Sequence, residues 1–175
     1  MLLRQIFTFS MVATSGKFPY NSAMSQKLIS KNKKAYFDYE LLETFEAGIK
    51  LTGAEAKSVK GGGISISEAY VKEWQGGLIL WNATIQQYKH SFDPNYDSGR
   101  ARELLLKKRE IQYLIKKTSA ERLTIIPTRV YLTRGFVKIA IALAKGKKSY
   151  EKQRKIKERD LERELHREKR KFMVK

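Results

Sequence analysis

The chain has 175 residues, 42% of them hydrophobic, which suits one domain of ordinary size with its own core plus tails. Its 36 Lys and Arg against 18 acids leave +18, a surplus that points to a polyanionic partner, with nucleic acid ahead of a membrane surface. The lack of cysteine excludes disulfides, thiol nucleophiles and Cys-based zinc sites and fits a reducing, cytoplasmic setting. The two histidines, His90 and His166, have no ligand-like spacing, and no apolar run reaches the ~18 residues of a membrane span, so no metal, cofactor or membrane attachment is expected.

Three units are expected: an extension over residues 1–29, a folded domain over 30–148 and a basic tail over 149–175. In the extension no acid appears, and a single arginine, Arg4, argues against a transit peptide. Gln5, Thr8 and Ser10 interrupt any secretory signal. The favoured expectation is a misassigned start, with Met11 or Met24 as the first residue, ahead of a disordered tail and of targeting.

Residues 30–34 form a polar, basic lead-in. Residues 35–51 are rich in β-formers (Tyr36, Phe37, Tyr39, Leu41, Phe45, Ile49) and predict a strand. Within residues 45–58 the carboxylates Glu46 and Glu55 stand among Gly48, Lys50, Gly53, Lys57 and Ser58 in a chain otherwise heavily basic. Such acids either pair with neighbouring cations, accept hydrogen bonds from a partner, or do chemistry. Gly53 breaks the strand, residues 54–60 allow about two turns of helix, and Gly61, Gly62 and Gly63 end it. The glycine spacing matches neither a P-loop nor a dinucleotide fingerprint and reads as a turn.

Residues 69–74 and 78–88 predict a hairpin about Gln75-Gly76-Gly77, with Leu78 and Leu80 on one face and Ile79 and Trp81 on the other. Trp74, Trp81 and Tyr88 are placed in the core ahead of a base-stacking role. Residues 90–99 predict a loop, from Asp93-Pro94-Asn95 and Ser98-Gly99. Residues 100–117 predict the strongest helix, packing by Leu104, Ile111, Leu114 and Ile115. Arg100 and Arg102 then fall in its first turn, where cations oppose the helix dipole, and an anionic partner there is one reading against simple solvation. Residues 123–132 and 136–144 predict a second hairpin about Arg134-Gly135. Val137, Ile139, Ile141 and Leu143 alternate there with Lys138, Ala140, Ala142 and Ala144, and the small-residue face suits close approach by RNA or by another protein element.

Residues 145–175 carry 9 Lys and 5 Arg against 6 acids, a surplus of 8 in 31 residues. Apolar residues there are too sparse to bury a helix, so the tail is expected to be disordered alone and to fold on RNA, where phosphates neutralise its cations.

The succession Asn32-Lys33-Lys34-Ala35-Tyr36, Phe45-Glu46-Ala47-Gly48-Ile49, residues 51–58, Ala69-Tyr70-Val71, residues 100–106 and Ala144-Lys145-Gly146-Lys147-Lys148 closely resembles the SmpB (small protein B) family of bacterial tmRNA-binding proteins, over about residues 30–160. The resemblance implies a mainly β fold with flanking helices, an OB-fold-like oblong antiparallel β-barrel followed by a basic C-terminal tail. It implies binding of the tRNA-like domain of tmRNA and its delivery to stalled ribosomes for trans-translation, with elongation factor Tu and the alanine-charged tmRNA in the same complex. The tail would become helical on 16S rRNA, in the empty message channel near the decoding centre. Carried over by position, Asn32, Glu46 and Leu105 belong to the tmRNA-binding surface, with Gly53, Glu55, Lys57 and Ser58 in a neighbouring motif and Gly146, Lys147 and Lys148 at the hinge. Lys33, Lys34, Gly48, Arg100, Arg102, Lys138 and Lys145 complete the expected RNA-binding set. In the tail the family's His or Tyr followed by Asp-Lys-Arg appears as Tyr150, Glu151, Lys152 and Gln153, which loses an arginine that Arg154 stands beside. Lys157 and Arg159 extend the expected ribosome-binding residues.

Two other readings remain at this point. Asp38 with Glu55-Ala56-Lys57 has the carboxylate and Glu-x-Lys spacing of metal-dependent nucleases, a triplet that arises easily by chance. A general tRNA- or rRNA-binding accessory protein without tmRNA specificity is the other.

Overall fold

The computed structural model describes residues 26–91, 93–148, 150, 153 and 154. Its elements in chain order are β1 (Lys27–Lys31), α1 (Lys33–Asp38), β2 (Tyr39–Ile49), α2 (Gly53–Lys60), β3 (Ile64–Ser65), β4 (Tyr70–Trp74), β5 (Gly77–Trp81), β6 (Thr84–Ile85), β7 (Arg102–Leu105), α3 (Lys108–Glu121), β8 (Thr124–Thr133) and β9 (Phe136–Gly146). The strands pair antiparallel in the order β1-β8-β4-β5-β7-β2-β9, and β9 returns to pair with β8. Six strands therefore close into a barrel, which leaves no long free edge among them, and β1 continues alongside β8 next to β4. The expectation of an OB-like antiparallel barrel with flanking helices holds.

Alternation fills the barrel. Leu78, Leu80, Ile139, Ile141 and Leu143 are fully buried, while Ile79 and Trp81 are partly exposed, so the first hairpin buries parts of both faces as its pattern suggests. Val59 of α2 and Leu114 of α3 join the same core. Pro127 lies in β8 at an irregularity between Pro127 and Arg129, where a ladder tolerates a missing N–H. The small residues of β9 meet protein: Ala140, Ala142 and Ala144 are buried, and Ala144 packs with Ala35 of α1 and Ile126.

Five local expectations change. The chain is already paired at Lys27, inside the stretch expected to be extension or lead-in, because β1 adds to β8. Residues 35–38, aromatic enough to read as strand, are helix, because Asn32 caps them and Ala35 buries against β8 and β9. The strand expected over 78–88 ends at Trp81, where Asn82 takes the left-handed conformation with φ 55°. Trp74, expected in the core, is 56% exposed beside the β4–β5 turn.

The fifth change is the largest. Residues 100–117 are not one helix: β7 occupies Arg102–Leu105, between β5 and β2, and α3 begins only at Lys108. Ladder bonds on both sides of β7 override the helical preference of Arg, Glu and Leu. Arg100 and Arg102 thus do not lie in the first turn of α3.

Helix α2 matches its expected span closely. Thr52 Oγ1 accepts from Glu55 N at 3.3 Å and Glu55 Oε2 accepts from Thr52 N at 2.8 Å, a capping box. At the other end Gly62 has φ 93°, and the N–H groups of Gly62 and Gly63 donate to Val59 O and Ser58 O, each at 2.9 Å. A Cβ on Gly63 would lie 2.4 Å from Ser58 Oγ, so glycine is required for this close approach.

Candidate nucleic-acid interface

Strand β2 is the spine of the candidate interface. Its period of two turns Ala47 into the core and leaves Glu46 and Lys50 exposed, with Gly48 half-buried between them. Glu46 lies opposite Ala140 on β9, and Lys138, two residues earlier on β9, reaches Glu46 Oε1 with its Nζ at 3.4 Å. Tyr131 of β8 donates its hydroxyl to Glu46 Oε2. To do so the phenol spans β9, where only the small Ala140 stands opposite Glu46. Burial, reinforced by the hydrogen bond to the Glu46 carboxylate and its charge, raises the Tyr131 pKa far above the ordinary phenol range, so this donor stays protonated. The Glu46 side chain remains 49% exposed, held in one direction with half its surface available to a partner.

Next along β2, Gly48 lies opposite Leu105 of β7, and a Cβ on Gly48 would sit 3.2 Å from Leu105 Cβ. The glycine makes room for Leu105, which is 53% exposed, an apolar contact beside a polar one. Beyond them Lys50 bridges Glu103 at 2.9 Å, an exposed pair of small energetic weight.

The expected site residues of 53–58 and 100–102 divide by burial. Glu55 is buried and accepts from Arg100 Nε at 2.9 Å and from Arg102 Nη2 and Nε at 2.9 and 3.1 Å. Arg102, without exposure, also donates to Ala83 O at 2.7 Å, Arg100 O at 2.8 Å and Ser98 O at 2.9 Å. Expected as an exposed cation, Arg102 is instead a buried clamp that joins α2, β7 and the segment 83–98. Burial raises the Glu55 pKa, but the hydrogen bonds from Arg100, Thr52 N–H and Arg102 outweigh it and leave the carboxyl below its ordinary range. Ser58 is buried and donates to Gln86 O at 2.6 Å, whereas Gly53 and Lys57 are exposed and Arg100 half-exposed.

A second basic region lies at the opposite end of β2. Asn32, also buried, accepts from Ala35 N at 2.9 Å and donates to Ile66 O at 2.8 Å and Pro127 O at 3.0 Å. Its role in the free protein is to cap α1 and tie it to β8. Lys33 and Lys34 are exposed on α1, where Lys34 bridges Glu68 at 2.7 Å and Lys31 lies over the Tyr36 ring at 4.9 Å. Lys147 Nζ donates to Tyr36 O at 3.0 Å and its N–H to Asp38 O at 3.0 Å, so this segment, expected to be the hinge, docks against the end of α1. Lys145, Gly146 and Lys148 are exposed nearby in sequence. From Tyr39, which pairs with Gly146, to Glu46 is seven residues of strand, roughly 23 Å, so one strand carries both regions.

Of the tail residues, Tyr150, Gln153 and Arg154 are described, all helical and exposed, whereas Glu151, Lys152, Lys157, Arg159 and the extension over 1–25 lie outside the described residues. Sequence reasoning missed Tyr131, whose link to Glu46 spans 85 positions. Its only signal was its place opposite Lys138 in the second hairpin.

These features define a class: an OB-like antiparallel barrel with its exposed polar and apolar groups arrayed on the outer wall, along one strand. A profile of the SmpB protein family matches residues 29–171, and the chain belongs to that family. The SsrA-binding protein of Persephonella marina is 48% identical over 142 residues, covering 81% of this chain and 93% of its own length. That of Oenococcus oeni is 49% identical over 137 residues, covering 78% of this chain and 88% of its own. A chain solved in a structure described as "tmRNA-SmpB: a journey to the center of the bacterial ribosome" superposes with a TM-score of 0.57 at 39% identity, covering 69% of this chain and 85% of that one.

Proposed function

We propose that this chain binds the tRNA-like domain of tmRNA and delivers it to stalled ribosomes for trans-translation, acting in the cytoplasm. The observation that carries this reading is the family match across residues 29–171, which takes in the barrel and the tail together. The barrel wall supports it: an oriented, half-exposed Glu46 accepts hydrogen bonds from base amino groups or 2′-hydroxyls, Leu105 gives apolar contact, and Lys50 and Lys138 attract phosphate. Lys33, Lys34, Lys145 and Lys148 extend the positive surface around the hinge. The tail then enters the empty message channel near the decoding centre, with Arg154 in place of the arginine lost at Gln153, and elongation factor Tu accompanies the alanyl-tmRNA.

The role is binding, not catalysis. Glu55, the carboxylate that a nuclease would use for a metal, has its oxygens engaged by two guanidinium groups and a backbone N–H. Nitrocellulose filter binding at physiological salt tests the reading. Affinity for tmRNA is expected to exceed that for elongator tRNAs, and equal affinities would make the chain a general RNA binder.

A further inference from the structure

Between the first turn of α2 and the segment 87–100 lies a cleft of about 400 Å³, walled by Thr52, Gln87, Tyr88, Asn95, Tyr96 and Arg100, among others. The cleft continues the β2–β7 wall. Gly48 pairs with Leu105 and Ile49 with Leu104, Lys50 N donates to Glu103 O, and two residues beyond Lys50 and three before Glu103 the chain reaches Thr52 and Arg100. From Gly48 to the cleft rim is four residues of extended chain, roughly 13 Å. RNA lying on the wall would thus pass the cleft.

The cleft is built rather than incidental. Tyr96 closes it by donating its hydroxyl to Ile85 O at 2.9 Å. Gln87 Nε2 donates to Asp93 O at 2.9 Å, and Asp93 and Asp97 each accept from the backbone two residues on, Asn95 N at 3.0 Å and Gly99 N at 2.8 Å. The buried Glu55 holds Arg100 by its Nε and Nη2, fixing a half-exposed guanidinium in the wall. Lys57, which is not part of the cleft wall, sits over the Tyr88 ring at 5.6 Å, and His90 meets the ring edge-on at 5.4 Å. Tyr88 itself lines the cleft.

We infer that this cleft receives one unstacked base of the bound RNA, stacked on Tyr88, with the polar side chains of Gln87 and Asn95 at the base edge and Arg100 beside its phosphate. The volume lies at the small end of ligand sites, the scale of a single nucleoside. An aromatic face beside a guanidinium is the chemistry that captures splayed bases from single-stranded loops. Glu55 and Arg102 act here as positioning residues, since they hold Arg100 and the segment at Ser98 without facing the cleft themselves. The inference rests on the RNA-binding function proposed above.

Ultraviolet cross-linking of the full chain to a tmRNA transcript, with adducts mapped by mass spectrometry, tests it. One nucleotide should cross-link to Tyr88. Tyr88→Ala should then weaken tmRNA binding about tenfold, within the range of a base–aromatic stack, while Tyr88→Phe retains affinity. A transcript abasic at that nucleotide should lose the same factor with the wild-type chain and nothing further with Tyr88→Ala. The wild-type half of this arm needs no protein variant to read. Unchanged affinity of Tyr88→Ala, or losses from the abasic site and the variant that add, would overturn the cleft while leaving the effect of Glu46→Ala intact. Equal wild-type affinities for tmRNA and elongator tRNA would overturn the functional reading itself.

Discussion

Glu55 Oε1 lies 2.9 Å from Arg102 Nη2, and neither side chain reaches solvent. The pair joins the start of α2 to the start of β7, and through Arg102 to the carbonyls of Ala83 and Ser98. In a basic protein the second acid of the 45–58 stretch therefore serves the fold, and the first, Glu46, is the one presented outward.

Loss of Glu55 leaves the buried Arg102 charge without its counterion, and loss of Arg102 leaves the buried Glu55 paired with Arg100 alone. Arg102→Ala and Glu55→Ala are each expected to cost about 3–5 kcal/mol in urea unfolding followed by tryptophan fluorescence. The double change Glu55→Leu with Arg102→Met removes both charges and should cost less than either. Arg102→Lys should not rescue stability, because one ammonium cannot replace donors aimed at Glu55, Ala83 O and Ser98 O together.

Acid should weaken the same cluster. The Glu55 carboxyl is held below its usual value mainly by hydrogen bonds from Arg100, Thr52 N–H and Arg102, against the upward push of burial. A depressed folded pKa contributes stability above the unfolded value of about 4.3 and loses it as pH falls through the folded one. Unfolding free energies measured across that acid range should fall more steeply for wild type than for Glu55→Gln, and parallel curves would remove Glu55 as the source.

Tyr131 reports on Glu46. Burial and the Glu46 carboxylate raise the phenol pKa, so its stabilising contribution is complete below about 10 and is lost as pH rises through the folded value. Glu46→Gln should bring the Tyr131 titration, followed by ring NMR signals, down towards the ordinary value. Glu46→Ala should weaken tmRNA binding severalfold with little change in thermal unfolding, since the side chain is half exposed. Unchanged affinity would return Glu46 to a structural role.

The hinge predicts a separation of activities. Lys147 fastens the start of the tail to the end of α1 by its side chain and backbone. Truncation after Lys148 should leave tmRNA binding within about twofold in the filter assay and abolish tagging of stalled peptides in a reconstituted translation system. Loss of both would mean that the tail is not a separate module.

Much of the barrel is legible in the residues alone. Second-hairpin alternation from Val137 to Leu143, the glycine turn at Gln75-Gly76-Gly77 and the helix stop at Gly61-Gly62-Gly63 are local patterns, and local patterns survive folding. Glu46 too stands out, as an acid among apolar residues in a chain otherwise heavily basic. Arg102 does not. Ala101, Arg102, Glu103, Leu104, Leu105 and Leu106 are all good helix formers, and nothing nearby in sequence says that β5 and β2 will take them as a strand between them. The aromatic run at Tyr36 and Phe37 misleads in the opposite sense, because the cap at Asn32 and the buried seat of Ala35 depend on Ile66, Pro127 and Ala144. Composition, turn chemistry and periodicity by themselves determined a basic antiparallel β domain with a charged tail. Which acid is buried, which is displayed, and which arginine becomes a clamp was decided only by tertiary structure, since burial and ion pairing join residues 45 to 100 positions apart.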